Sequence, residues 1–215
     1  PISIKTLLYL CCRQLIIIRM KINFKQIVCV MAVCTQTVIA QVPKKSVLVF
    51  SKTAAFRHES IEAGKKALEK MGIEKGFKVD ETEDASVFNE AKLKNYNAVI
   101  FLNTTGDILN DKQQVAFERY IQAGGGYLGI HAATDTEYDW PWYGQLAGAY
   151  FLDHPMTPSN VQKGKFIVKE KNHWATKGMP DEFEKTDEFY SFKNISDKIK
   201  VVLTIDEKSY IGGKN

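Results

Sequence analysis

The sequence around His131 combines residue types and a spacing that suit catalysis. Residues 124–140 read GGGYLGIHAATDTEYDW, in which an apolar strand leads into a turn of small residues and then a predicted helix start. The spacing Gly129-x-His131-x-Ala133 resembles the nucleophile elbow of α/β enzymes, a sharp turn that exposes a reactive side chain. Because the apex holds histidine instead of serine or cysteine, we expect acid/base chemistry, metal ligation or hydrogen bonding rather than covalent catalysis.

The loop after the predicted first strand is a second candidate part of this site. Ligands bind to parallel sheets beyond the carboxyl ends of the strands, where the loops after neighbouring strands meet. Residues 47–50 are predicted to be such a strand, and Arg57, His58 and Glu59 follow it. A helix N-terminus explains Glu59 equally well, since an acidic side chain there stabilises the helix dipole. We assign all three as candidate substrate-binding residues.

The loop after the predicted third strand, residues 103–107, contributes two more candidates. It begins with Asn103 and Thr104, directly after the apolar run 98–102. Its backbone amides could hold an anion or an oxyanion, although a plain turn is the simpler alternative. We assign Asn103 and Thr104 to substrate binding.

Two carboxylates are candidates to act with His131. Asp135 lies four residues after the histidine, where it would either orient the imidazole or begin a helix. Glu188 is part of the late run 187–190, which reads DEFY and also supplies Tyr190. We assign His131, Asp135 and Glu188 as the catalytic group, because positioned acids and bases of these types move protons near neutral pH. Tyr190 is assigned to substrate binding.

An aromatic cluster follows the elbow. Trp140, Trp142 and Tyr143 could stack on the apolar faces of a sugar, or they could pack between parts of the fold. On the first alternative, we assign Trp142 and Tyr143 to substrate binding.

His154, which precedes a proline, either marks a loop or lines the site, and we assign it to substrate binding. Together with His58, His131 and Glu188 it could form a metal site, since imidazoles and carboxylates are common metal ligands. No spacing among these residues matches a recognised metal motif. We therefore predict neither a metal ion nor another cofactor.

Strand-like and helix-like patterns alternate from residue 47 to residue 130. This alternation predicts an α/β domain with a doubly wound, mostly parallel sheet and helices on both faces. Gly72 is predicted to end the first helix, and Asp111 with Gln114 to form a capping box at the third. The predicted strands are 47–50, 77–82, 98–102, 127–130, 161–169 and 201–205, and the predicted helices are 58–71, 86–95 and one from 111 to the glycines at 124–126.

The first forty residues are predicted to lie outside this domain. Residues 20–40 resemble a secretory signal peptide, with two lysines, a short apolar run and a small-residue end. Residues 1–19 would be upstream sequence from a misassigned start, or alternatively a membrane anchor. Residues 41–45 would be a short linker before the domain at 46–215. The signal predicts export to a periplasmic compartment, with no stable membrane span after cleavage.

Charge and cysteine content exclude two classes of function. The chain has 29 Lys and Arg residues and 25 Asp and Glu residues, and residues 1–40 hold five of the basic and none of the acidic ones. Residues 41–215, with 24 basic and 25 acidic groups, are therefore nearly neutral, which removes the support for nucleic-acid binding. All four cysteines also lie in residues 1–40, so thiol chemistry is excluded from the domain.

Four motifs of the chain occur in an order that is shared with a known family. They are residues 56–61, FRHESI; residues 125–135, GGYLGIHAATD; His154-Pro155; and residues 187–190, DEFY. From about residue 46 to its end, the chain resembles the ThuA-like (trehalose utilisation) family. The resemblance implies a flavodoxin-like sheet related to the class I glutamine amidotransferases. The elbow cysteine of those enzymes aligns with His131, so glutamine hydrolysis through a thiolate is excluded.

The resemblance also implies a function and an incomplete domain. The function is the use of disaccharides or glucosides, often beside sugar dehydrogenases that make keto-sugars. Family members usually continue with a Pro-Val-x-Trp segment, a Gly-x-Gly-Arg strand and a Leu-Gly-His ending, and none of these follows Gly213. We therefore expect the domain to be truncated at its C-terminus.

Three functions are compatible with these features. The first is an exported protein that acts on a glucoside, a disaccharide or its keto-sugar form by acid/base chemistry, as an isomerase, lyase or hydrolase. The second is a non-catalytic carbohydrate-binding or sensor domain on an amidotransferase-like scaffold. Both predict a small-molecule carbohydrate as the partner. The third, a structural or partner-binding domain, predicts neither sugar binding nor turnover.

Overall fold

Residues 45–214 are the part of the chain that the structure, a computed structural model, describes. The extension and the signal peptide predicted at 1–19 and 20–40, and the linker up to residue 44, lie outside the described residues. Within the described part, none of the helices combines the length and the apolar character needed to cross a membrane.

The central sheet has four parallel strands. Their bounds are β1 Ser46–Phe50, β2 Lys78–Thr82, β3 Ala98–Leu102 and β4 Gly126–Ile130, and their order in the sheet is β2-β1-β3-β4. β1 and β3 lie in the middle and carry the apolar runs VLVF and AVIFL, because a strand covered on both faces needs apolar side chains on both. The four strands predicted between residues 47 and 130 are thus confirmed.

Helices cover both faces of this sheet, as the alternating pattern predicts. On one face, Leu68 packs in a buried cluster with Val49 and Ile100 of the middle strands. On the other face, the larger core is built around Phe101 and Phe117, whose rings stack 5.4 Å apart. The helices are α1 Ser60–Lys75, α2 Glu90–Leu93, α3 Asp111–Gln122 and α4 Pro141–Ala147.

The helix predicted at 86–95 is a 3-10 turn at Ala85–Val87 followed by the short α2. Two other predicted helix ends were also wrong. α1 continues past Gly72 and ends at Gly76, whose φ of 78° is the left-handed conformation of a helix C-cap. Gly72 is needed for packing instead, because a Cβ there would lie 2.8 Å from Cγ2 of Val79. The capping box of α3 is formed by Asn110 and Gln113, one residue earlier than predicted.

The second half of the chain adds antiparallel strands. They are β5 Tyr150–Asp153, β6 Val161–Val168, β7 Glu182–Glu188, β8 Ser191–Lys193 and β9 Leu203–Asp206. The predicted strands at 161–169 and 201–205 are present as β6 and β9, in a three-stranded sheet of order β7-β6-β9. β5, β7 and β8 were not predicted, and β7 is hard to predict because its sequence, EFEKTDE, is mostly charged.

Candidate functional site

His131 occupies the apex of a strained turn at the carboxyl end of β4. Its φ is 51°, and a single 3-10 turn, His131–Thr134, begins at the histidine. A non-glycine residue in this backbone region costs about 1–3 kcal/mol and persists only where the surroundings enforce it. The elbow geometry that the sequence predicted is therefore present, with the imidazole partly exposed.

Glu188, the last residue of β7, lies at the centre of a group of rings. Its Oε2 atom is 3.1 Å from Nε2 of His131 and 3.6 Å from Nε2 of His58. Its Oε1 atom is 3.5 Å from Nε2 of His154. The carboxylate is only 14% exposed, so these rings replace much of its contact with water. We call these four side chains together with Tyr190 the Glu188 cluster.

Tyr190 completes the cluster from the other side. Its hydroxyl oxygen is 3.1 Å from Nε2 of His58, and its ring lies against the His131 ring with centroids 4.1 Å apart. Burial, assisted by the negative charge of Glu188, raises the pKa of Tyr190. The hydroxyl therefore stays protonated near neutral pH and can donate a hydrogen bond.

The charges of the cluster suit proton transfer. Burial, reinforced by the neighbouring His58, lowers the pKa of His131, so this imidazole is neutral and able to accept a proton at neutral pH. Burial alone would raise the pKa of Glu188, but the Asn160 hydrogen bond and the two histidines His154 and His131 hold it below its usual value. A neutral base thus faces an ionised carboxylate.

Four separate segments bring these side chains together. His58 lies in the loop after β1, His131 follows β4, His154 follows β5, and Glu188 ends β7. Asn160 also reaches the cluster, since its Nδ2 donates to Glu188 Oε1 at 2.9 Å. The sequence analysis missed Asn160, because a lone asparagine in a loop carries no signal.

Asp135 has a different partner from the one that the sequence suggested. Its Oδ1 accepts a hydrogen bond of 2.6 Å from the hydroxyl of Tyr138, and the carboxylate that faces His131 belongs to Glu188. The orienting role assigned to Asp135 therefore falls to Glu188.

The loop at residues 103–107 is tied to the end of β4 and the segment after it, and this contact uses two of its backbone amides. The amide of Asn103 donates to the carbonyl of Ile130, and that of Gly106 donates to the carbonyl of Asp135, so neither is free for an oxyanion. Thr104 is fully buried, and its hydroxyl pairs with Thr136.

Asn103 has one unsatisfied polar atom. Its Nδ2 donates to the hydroxyl of Ser60 at 2.8 Å. Its Oδ1 is buried and has no hydrogen-bond partner within residues 45–214. A buried acceptor without a partner is costly, which keeps Asn103 as a candidate for contact with a polar ligand.

The two aromatic residues assigned to sugar binding pack into the core instead. Tyr143 is fully buried, and its hydroxyl donates to the carbonyl of Ala133 at 2.6 Å. Trp142 is half-buried and stacks on Trp140 at 5.0 Å. The packing alternative therefore describes both rings, which lie on α4 and pack in or against the larger core.

Phe56 is an exposed apolar side chain that lies beside the cluster. Its ring meets the His58 ring edge-on, with centroids 4.9 Å apart, and 68% of the residue is exposed. The two other candidates from the same segment lie elsewhere. Arg57 pairs at the surface with Glu62 and Glu83, and Glu59 is an exposed residue at the N-cap of α1.

Comparison with known proteins agrees with this fold. A crystal structure of a ThuA-like protein from Bacteroides uniformis is similar with a TM-score of 0.67 and 26% identity, over 81% of this chain and 73% of that one. A ThuA-like protein from Parabacteroides merdae has the same fold, with a TM-score of 0.62 and 17% identity, over 77% of this chain and 70% of that one. None of the curated proteins matches the chain.

The family assignment follows from a match along most of the sequence. The model of the ThuA family, described as trehalose utilisation, matches residues 46–215. These residues include every member of the Glu188 cluster and all of the central sheet. The chain therefore belongs to the ThuA family, which supports a role in carbohydrate utilisation.

Proposed function

We propose that the protein acts on a glucoside, a disaccharide or its keto-sugar form by acid/base chemistry in the Glu188 cluster. The observation that carries this proposal is one ionised carboxylate, Glu188, in contact with the neutral base His131 at 3.1 Å. Such a pair can remove a proton, because the carboxylate stabilises the imidazolium that forms.

The proposed step is proton abstraction from the carbon beside a ketone of the sugar. The C–H bond breaks, the proton goes to the ring of His131, and the electron pair moves onto the ketone oxygen as an enolate. The protonated hydroxyl of Tyr190 donates a hydrogen bond to that oxygen, and the hydroxyl lies 3.1 Å from Nε2 of His58, which positions it. Reprotonation at another position, or loss of a leaving group, then gives isomerisation or elimination.

Phe56 supports a carbohydrate as the substrate. Its exposed ring beside His58 offers a flat apolar face, and aromatic faces of this kind stack on the C–H face of a sugar ring. We propose that Phe56 has the sugar-stacking role that the sequence analysis assigned to Trp142 and Tyr143.

Export to a periplasmic compartment is part of the same proposal. Its support is the signal-like sequence of residues 20–40. Detection of the mature protein in the periplasmic fraction, with its N-terminus near residue 41, tests it, and an uncleaved cytoplasmic protein would contradict it.

Incubation of the purified protein with trehalose, other glucosides and their 3-keto forms tests the function. We expect a new product from at least one of these sugars, and a loss of turnover of at least 100-fold in His131→Ala with an unchanged fold. His173→Ala is the matched control, because His173 is the one histidine of the chain outside the cluster. Saturable sugar binding without any product would favour the sensor domain instead. A protein that shows no sugar binding and forms no product would refute both the catalytic function and the sensor function.

A further inference from the structure

We propose that His58, His131 and Glu188 bind one divalent transition-metal ion, in an inference that rests on the proposed function because it concerns the same cluster. Each residue offers one ligand atom, and the three atoms lie within 4.8 Å of one another. The three residues come from three separate segments of the chain, so the fold and not the local sequence creates the group.

Two of the three distances between the ligand atoms are close to those around a bound ion. Metal–ligand bonds to imidazole and carboxylate are about 2.0–2.2 Å, which places neighbouring ligand atoms about 3.4 Å apart in a tetrahedron and about 3.0 Å apart in an octahedron. The Glu188 Oε2 atom is 3.1 Å from Nε2 of His131 and 3.6 Å from Nε2 of His58. Both values are close to this range, and the ligand atoms of the two histidines lie within 4.8 Å of each other.

The second oxygen of Glu188, Oε1, accepts a hydrogen bond from a neighbouring side chain, as is common for carboxylates that ligate a metal. Asn160 donates to Oε1 at 2.9 Å, which leaves Oε2 directed at the two histidines. Hydrogen bonds from outside the coordination shell fix the orientation of a ligating side chain and tune its affinity. Asn160 therefore acts as a positioning residue for the site.

His154 adds a third imidazole at the edge of the site. Its Nε2 atom is 3.5 Å from Glu188 Oε1, and its Nδ1 atom is 3.2 Å from the carbonyl oxygen of Pro155. The ring therefore lies beside the carboxylate, although it is not one of the three residues whose ligand atoms come together around one point.

The donor set selects the kind of metal. Two imidazoles and one carboxylate suit Zn²⁺ and its first-row neighbours, whereas Mg²⁺ and Ca²⁺ prefer oxygen ligands throughout. Three protein ligands leave at least one position for water or substrate, as in catalytic zinc sites. An ion held there would polarise the ketone oxygen of the sugar. With its Nε2 atom bound to the ion, His131 would not take the proton itself, and a hydroxide formed from water on the ion would take it instead. The ion would thus change the proton acceptor of the proposed function and keep its substrate class.

Calorimetric titration of the chelator-treated protein with ZnCl₂ tests the site, with MgCl₂ as the comparison. We expect one Zn²⁺ per chain with a Kd of about 1 µM or tighter, and affinity for Mg²⁺ that is at least 100-fold weaker. Glu188→Gln and His58→Gln should each weaken Zn²⁺ binding at least tenfold, whereas the control His173→Ala should not change it. Asn160→Ala should weaken it by a smaller factor.

Two results would overturn the metal site. One is the absence of Zn²⁺ binding; the other is binding that Glu188→Gln and His58→Gln leave unchanged, which would place the ion on the N-terminal cysteines or another surface. Circular dichroism of each variant without metal confirms that the fold is intact. Sugar turnover that persists after removal of all metal would overturn a catalytic role for the ion and leave the proposed function standing. Specific Zn²⁺ binding without turnover of any sugar would support the metal site and refute the proposed action on a sugar.

Discussion

Replacement of Glu137 by alanine should destabilise the protein strongly. This residue is 1% exposed and follows the elbow. Its Oε1 accepts hydrogen bonds from the amides of Ile108 at 2.9 Å and Leu109 at 2.7 Å, and its Oε2 accepts one from Gln114 at 2.7 Å. The carboxylate thus joins the loop after β3 to the loop after β4, on which the position of His131 depends.

The size of the effect follows from the donors that Glu137→Ala would leave unsatisfied. Each buried donor without an acceptor costs about 1–3 kcal/mol, and since such costs are not additive, we expect a loss of about 3–5 kcal/mol in the free energy of unfolding. Glu137→Gln keeps one acceptor oxygen and the shape of the side chain, so its cost should be below about 2 kcal/mol.

Urea denaturation of both variants measures these differences. Glu69→Ala, an exposed substitution in α1, is the control and should change the free energy of unfolding by less than about 0.5 kcal/mol. A cost below about 1 kcal/mol for Glu137→Ala would refute the role of the buried carboxylate. An equal cost for Glu137→Ala and Glu137→Gln would show that the hydrogen bonds are not the cause.

Three further predictions concern packing, substrate affinity and pH. Gly72→Ala should cost about 1–3 kcal/mol in urea denaturation, because its Cβ would lie 2.8 Å from Val79 Cγ2; no loss would contradict this close packing. Phe56→Ala should raise the sugar KM several-fold at unchanged thermal stability, since the ring is exposed beside His58, and an unchanged KM would exclude stacking. Burial raises the pKa of Glu137 despite the amides that donate to it. The native protein should therefore lose stability relative to Glu137→Gln as the pH rises above about 4.5, and parallel pH curves would contradict this.

The local sequence predicted the central sheet and the apex of the site well. Apolar runs and the strand-to-turn spacing depend on residues close together in the chain, and both His131 and His58 follow strands of that kind. Glu188 and Tyr190 were also found, through the DEFY motif. The structure then showed that they meet His131, although 57 residues separate Glu188 from this histidine.

The remaining features depend on contacts between distant segments, which a local pattern does not contain. β7 forms because its charged sequence pairs with β6, and Asn160 enters the site only through that pairing. The direction of a side chain is equally hard to predict. Tyr143 turns into the core while Phe56 stays exposed, and the composition of their segments does not distinguish these outcomes.

The most direct test of the central claim follows proton exchange on a keto-sugar. A 3-keto-glucoside is incubated with the protein in D₂O, and proton NMR follows the signals of the carbons beside the ketone. The account predicts that the protein accelerates the loss of one of these signals, that His131→Ala and Glu188→Gln abolish the acceleration, and that His173→Ala retains it. Exchange at the uncatalysed rate, or equal exchange in all of these variants, would contradict an acid/base role for the Glu188 cluster.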